Sequence, residues 1–234
     1  MSLQAITLDA AGTLIHLRKP VGETYSEIAA KFEIHTSPAA IESAFRNVWE
    51  RTPAPFSAEF SNHPKTNQQG LKRENHLERE WWKALVHKVF AEAGASHGAQ
   101  FDAFFTKLYD HFENPDCWQL DPDAAAALQH IAVRGLKIGL LSNFDYRLRK
   151  ILTGHDIFHH FQAVVLSGEI QASKPDPRMF ATIQQALEVE DPSTILHIGD
   201  DPECDIAGAE QFGFQTFRVK LGKIPLKAVI KHLG

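Results

Sequence analysis

Between residues 120 and 220, short apolar runs alternate with helical patterns, and most of the runs stop on small or polar residues. Leu136–Leu141 ends at Ser142–Asn143, Ala163–Leu166 at Ser167–Gly168, and Thr194–Ile198 at Gly199–Asp200–Asp201; Gln215–Val219 closes the series. Runs this short and this apolar suit strands buried on both faces. Amphipathic stretches at Ala124–Arg134, Tyr146–Thr153, Pro177–Leu187 and Asp205–Phe212 fall between them. Such alternation implies a parallel sheet covered by helices. Leu3–Leu8, ending at Asp9, supplies a further strand ahead of the sharp turn Ala10–Ala11–Gly12–Thr13.

From about Pro20 to Phe112 the pattern changes. Gly22–Phe32, Pro38–Glu50, Gly70–Ala93 and Ala99–Phe112 have helical spacing of apolar residues, and no convincing strand interrupts them. Trp49, Trp81, Trp82, Phe101, Phe104 and Phe105 are expected to pack a helical core, and residues 51–70, rich in Pro, Ser and Asn, to form a long loop. The expected architecture is α/β: a Rossmann-like parallel-sheet core, residues 1–17 and 116–234, with an α-helical insertion at 18–115.

Charge and composition narrow the function. With 24 basic and 29 acidic residues the net charge is -5, which disfavours nonspecific binding to nucleic acid or an anionic membrane. No apolar run approaches the ~20 residues a membrane helix needs. Cys117 and Cys204 cannot build a disulfide framework, and the start, MSLQAITLDAAGTL, lacks the features of a secretory leader. These features predict a cytoplasmic globular protein. The thirteen histidines show no zinc-site spacing and are expected mostly on surfaces and loops.

In an open parallel sheet, ligands bind beyond the carboxyl ends of the strands. Asp9, Ser142, Asn143, Asp200 and Asp201 all follow strand ends, and Lys174 lies in the loop after the third strand, within SKPDPRMF. Carboxylates, a hydroxyl and an ammonium gathered on one rim suit a magnesium-assisted reaction on an anion, since Mg²⁺ takes oxygen ligands.

The ordered segments DAAGTL, LSN, KPDP and GDDPECD resemble the four motifs of the haloacid dehalogenase (HAD) superfamily. The likeness spans the whole chain, because the helical insertion stands where that superfamily places an α-helical cap. The cap and its flanks, with Pro20–Gly22–Glu23, Trp81–Trp82 and Cys117–Trp118–Gln119, are most similar to the group of haloacid dehalogenase-like hydrolase domain-containing protein 3. The resemblance implies a HAD-like core and a Mg²⁺-dependent hydrolase acting on a small phosphorylated metabolite. Asp9 would be the nucleophile, forming an aspartyl-phosphate. Ser142 and the Asn143 backbone would bind the phosphoryl group, and Lys174 would stabilise transition-state charge. Gly12 and Thr13 would shape the nucleophile loop. Asp9, the backbone carbonyl of Ala11, Asp200, Asp201 and Asp205 would serve the metal, with helix capping a competing role for Asp205.

One position departs from the pattern. Phosphatases of the superfamily usually carry a second aspartate two residues after the nucleophile, where this chain has Ala11. Loss of a positioned general acid–base typically costs about 10²–10⁴ in rate. The leading expectation is therefore a hydrolase restricted to leaving groups that need little protonation, or one with a substitute acid such as Asp145 or His16. The alternative is a catalytically impaired HAD-fold protein that binds a phosphorylated ligand or a partner. A phosphonatase-like enzyme fits less well, because Lys31, Lys65, Lys72 and Lys83 of the cap read as solvated. A dehalogenase fits less well still, because Asp200, Asp201 and Asp205 are too acidic a group for a metal-free site.

Overall fold

The computed structural model describes residues 2–56, 74–95 and 98–233, and of residues 74–76 the backbone alone. The chain forms two compact units, Met1–His16 with Gln119–Gly234, and Leu17–Trp118. Among the described residues, no helix is long and apolar enough to cross a membrane.

The first unit is built on a five-stranded parallel sheet. Its strands are β1 (Ala5–Leu8), β4 (Lys137–Ser142), β5 (Ala163–Leu166), β6 (Ile195–Gly199) and β7 (Gln215–Arg218), in the order β5-β4-β1-β6-β7. The central position of β1 matches its sequence, AITL, in which every residue is buried. Two short strands that the hydrophobic pattern does not reveal, β2 (Ile15–Leu17) and β3 (Trp118–Leu120), pair separately. Each is three residues long, too short for a periodicity to register.

Helices connect the strands: α5 (Ala124–Val133), α6 (Arg147–Gly154), α7 (Ser167–Ile170), α8 (Pro177–Ala186) and α9 (Gly208–Phe212), with α10 (Lys227–His232) near the carboxyl end. Proline at the first position of α8 loses no hydrogen bond there, and Asp176 before it accepts from the Arg178 amide. One face of the sheet packs Ala5, Leu141, Val165 and Ile195 against Met179, Phe180, Ile183 and Ala209. The segment after β6 is not the α-helix expected from Asp205. It begins at Pro202 as a π-helical turn, Pro202–Ala207, and runs into α9. The expected carboxyl-terminal amphipathic helix is shorter than its lysine and leucine spacing suggests, because residues 220–224 form a turn closed by a Lys220–Ile224 bridge.

The second unit is helical: α1 (Val21–Ala30), α2 (Pro38–Arg51), α3 (Glu74–Glu92) and α4 (Phe101–His111). Ser37 caps α2 by accepting from the Ala40 amide. Trp81, Phe101, Phe104 and Phe105 are buried in one apolar cluster, with Trp82 packed at its edge. Trp49 differs: it remains 49% exposed, stacked on Phe45 and Trp82. Of the lysines expected to be solvated in this unit, Lys31 is exposed and Lys83 pairs with Asp102 at 2.8 Å. Lys65, Lys72 and the part of the expected loop after Phe56 lie outside the described residues.

Candidate active site

The site is assembled at the carboxyl ends of β1, β4 and β6, all within the first unit. Asp9 follows β1, and its amide donates to the Ile198 carbonyl at 2.9 Å, which ties the Asp9 loop to the neighbouring strand. Lys174 comes from the loop before α8 and is 1% exposed. Its Nζ donates to three acceptors: Asp9 Oδ1 at 2.7 Å, Asp205 Oδ1 at 2.6 Å and the Leu141 carbonyl at 2.8 Å. An ammonium has three protons, so this lysine is fully used. Asn143 holds the lysine backbone from both sides, accepting from the Lys174 amide at 2.7 Å and donating to its carbonyl at 3.0 Å. Its side chain is thus a clamp, a role the strand-end pattern does not disclose. Ser142, at the end of β4, is 2% exposed.

The acidic residues divide by job. Asp9, Asp200 and Asp205 each place a carboxylate oxygen within 4.8 Å of the other two. Asp201 stands outside this cluster. It is exposed, and its Oδ1 accepts from the amides of Glu203 and Cys204, so Asp201 rather than Asp205 caps the turn after β6. Asp205 is buried and has four donors: Lys174 Nζ and His197 Nε2 on Oδ1, and the amides of Asp200 and Asp201 on Oδ2. A carboxylate offers about four lone-pair sites, and all are occupied. Asp205 therefore anchors the loop that carries Asp200.

Two glycines make this packing possible. Gly12 has φ +95°, and a Cβ there would lie 2.6 Å from the Asp200 carboxylate; a Cβ on Gly199 would lie 2.3 Å from Asp205. Backbone approaches the acidic cluster where no other residue fits. Thr13 is buried, and its Oγ1 has no hydrogen-bond partner among the described residues. Gly12, Thr13, His16 and Asp121 line one side of a cavity of about 250 Å³ whose other side is residues 219–227.

Electrostatics follow from burial. Asp9 is pushed up to about 6, first by burial and then by Asp205 and Asp200, with Lys174 opposing. Asp200 also rises to about 6, by burial and by Asp205. Asp205 moves the other way, well below the usual carboxylate range, because Lys174 and His197 outweigh its burial. Lys174 is raised by Asp205 and Asp9 in spite of its burial. One lysine thus stands against three carboxylates. Among the described residues, no other residue donates a hydrogen bond to Asp9 Oδ2 or to the Asp200 carboxylate, which is met by its own backbone amide. Two buried or half-buried carboxylates with open oxygens, disfavoured as anions, are a donor set suited to a hard divalent cation.

Two proposed substitute acids fare differently. Asp145 is 1% exposed and paired bidentately with Arg147, with contacts of 2.7–3.0 Å, so both its oxygens are engaged by the guanidinium. His16 lies 3.5 Å from Asp121 Oδ2. Cys204 is pushed up to about 12 by burial and Asp201, which leaves it protonated and unreactive.

A family model described as haloacid dehalogenase-like hydrolase matches residues 3–213. The chain belongs to the haloacid dehalogenase-like hydrolases. Among curated proteins it is 34% identical over 231 residues to the mouse haloacid dehalogenase-like hydrolase domain-containing protein 3, covering 99% of this chain and 87% of that protein. Its fold is also that of HAD enzymes of unlike chemistry. A HAD phosphatase from Thermococcus onnurineus superposes with a TM-score of 0.66 at 18% identity, over 100% of this chain and 98% of the other. The L-2-haloacid dehalogenase of Xanthobacter autotrophicus gives 0.67 at 20% identity, over 99% and 88%. At such identities the fold is shared and the chemistry is left to the site residues.

Proposed function

We propose that this HAD-like hydrolase is a Mg²⁺-dependent phosphohydrolase for small phosphorylated metabolites, working through an aspartyl-phosphate at Asp9. The single observation that carries the reading is the pairing of Asp9 with the buried Lys174 at 2.7 Å beside the open carboxylate of Asp200. Asp9, Asp200 and the Ala11 backbone carbonyl would hold the cation. When bound, Mg²⁺ supplies positive charge that the three carboxylates and an incoming phosphate together lack.

Lys174 binds Asp9 Oδ1 and fixes the carboxylate's orientation, leaving Oδ2 free of protein donors. An Asp9 oxygen attacks phosphorus; a P–O bond to Asp9 forms as the P–O bond to the leaving group breaks. The leaving group departs with the electron pair. Ala11 donates no proton to it, so acyl and aryl phosphates, whose leaving groups are stable anions, are the preferred class. Water then cleaves the aspartyl-phosphate and restores the Asp9 carboxylate. Ser142 and the Asn143 backbone hold the phosphoryl oxygens.

The acidic cluster counts against the metal-free dehalogenase reading, because Asp9, Asp200 and Asp205 share one lysine and their excess negative charge would repel a haloacid's own carboxylate. Ala11 also supports a second reading, a phosphometabolite-binding protein with little turnover. Purified full-length chain assayed with acetyl phosphate and p-nitrophenyl phosphate separates the two. The hydrolase reading expects turnover that needs Mg²⁺ and disappears in Asp9→Asn. Binding of phosphate without turnover of either compound under any metal condition supports the binding reading instead.

A further inference from the structure

β1 and β6 are central strands of a sheet covered on both faces, yet each carries a polar residue: Thr7 in AITL and His197 in ILHIG. Both are 0% exposed, and they stand directly opposite one another in the β1–β6 register. A hydroxyl and an imidazole at such positions cost stability unless they are fully hydrogen-bonded. They are: Thr7 Oγ1 lies 2.8 Å from His197 Nδ1, and His197 Nε2 lies 3.2 Å from Asp205 Oδ1. Phe180 covers the ring edge-on with centroids 6.0 Å apart.

We propose that His197, held by Thr7, is a positioning residue for Lys174. Asp205 is an acceptor, so His197 Nε2 carries the proton and donates it; Nδ1 then accepts from the Thr7 hydroxyl. That bond turns the Asp205 carboxylate so that Oδ1 meets Lys174 Nζ and Oδ2 meets the Asp200 and Asp201 amides. The buried chain Thr7–His197–Asp205–Lys174–Asp9 thereby sets the ammonium against the nucleophile from beneath the sheet. Members of a connected buried network reinforce one another, so loss at the far end is felt at Lys174.

The proposal rests on reading Lys174 and Asp9 as the reacting pair, but its test needs no turnover. In the ¹⁵N-labelled, metal-free full chain, the Lys174 ammonium and the His197 Nε2–H should both exchange slowly with water. His197→Phe keeps an aromatic ring and removes the donor; exchange of the Lys174 ammonium should accelerate about tenfold, as expected for loss of one hydrogen bond to a charged group. His197→Gln restores a donor and should return the rate to within about twofold of the native value. Thr7→Val keeps the side-chain shape and removes the hydroxyl; it should accelerate exchange in the same direction by less. If His197→Phe folds and Lys174 exchange is unchanged, the proposal is overturned. If that variant does not fold, Thr7→Val decides in the same way. Slow Lys174 exchange with no hydrolytic activity in the native chain would overturn the hydrolase reading and leave the positioning role standing.

Discussion

Lys174→Met should destabilise the protein by about 3–5 kcal/mol at neutral pH and lower hydrolysis by about 10²–10³. The two effects share a cause. The lysine is bonded to both Asp9 and Asp205, at 2.7 and 2.6 Å, and all three are buried. Methionine fills the volume and leaves two desolvated carboxylates facing each other without an ammonium. The pH dependence has a definite sign. Asp205 is depressed below its ordinary 3.8, so its stabilising contribution is present above about 4 and is lost as pH falls further. Lys174 is raised above its ordinary 10.5, so its contribution is full at neutral pH and disappears only in strong alkali. The stability gap between native and variant, measured by urea titration, should therefore be widest near pH 7 and should shrink towards pH 4, where the orphaned carboxylates protonate. A variant as stable and as active as the native chain would remove Lys174 from the centre of the account.

Ala11→Asp should raise kcat/KM for p-nitrophenyl phosphate, and more strongly for an alkyl phosphate, by about 10²–10⁴. Ala11 is exposed, so a carboxyl group can be added there without displacing the core. The expected gain grows with the basicity of the leaving group, because a poor leaving group needs the proton most. For acetyl phosphate the gain should be smallest in the first step, since acetate leaves unaided. Equal gains across the three substrates, or none, would mean that proton supply at residue 11 does not limit this enzyme.

The parts of the site that open the loops were legible in sequence. Asp9 and Asp200 each follow an apolar run, where hydrophobic pattern and polarity change together, and Lys174 stands in a Pro-rich turn between a strand and a helix. Their convergence follows from parallel topology alone. The division of labour among the acids was not legible. Asp201 and Asp205 lie four apart, which on an α-helix would share a face, but the segment Pro202–Ala207 is wound as a π-turn, and one carboxylate turns back to cap it while the other turns inward. His197 was hidden for a different reason. It occupies one position of an otherwise apolar strand, where a histidine has no periodic signature, and its partners Thr7 and Asp205 are set by strand register and by that same irregular turn. Asn143 reads as a strand-end polar residue; that its side chain grips the Lys174 backbone depends on a loop 31 residues away.

The most direct test is chemical capture of the covalent intermediate. The full-length chain is mixed with acetyl phosphate and Mg²⁺, quenched within one turnover, and reduced with borohydride, which converts an aspartyl-phosphate to homoserine. Mass spectrometry of the amino-terminal peptide should find homoserine at position 9, only when both Mg²⁺ and acetyl phosphate were present. Hydrolysis that proceeds while position 9 stays aspartate in every quenched sample would contradict a phosphorylated Asp9.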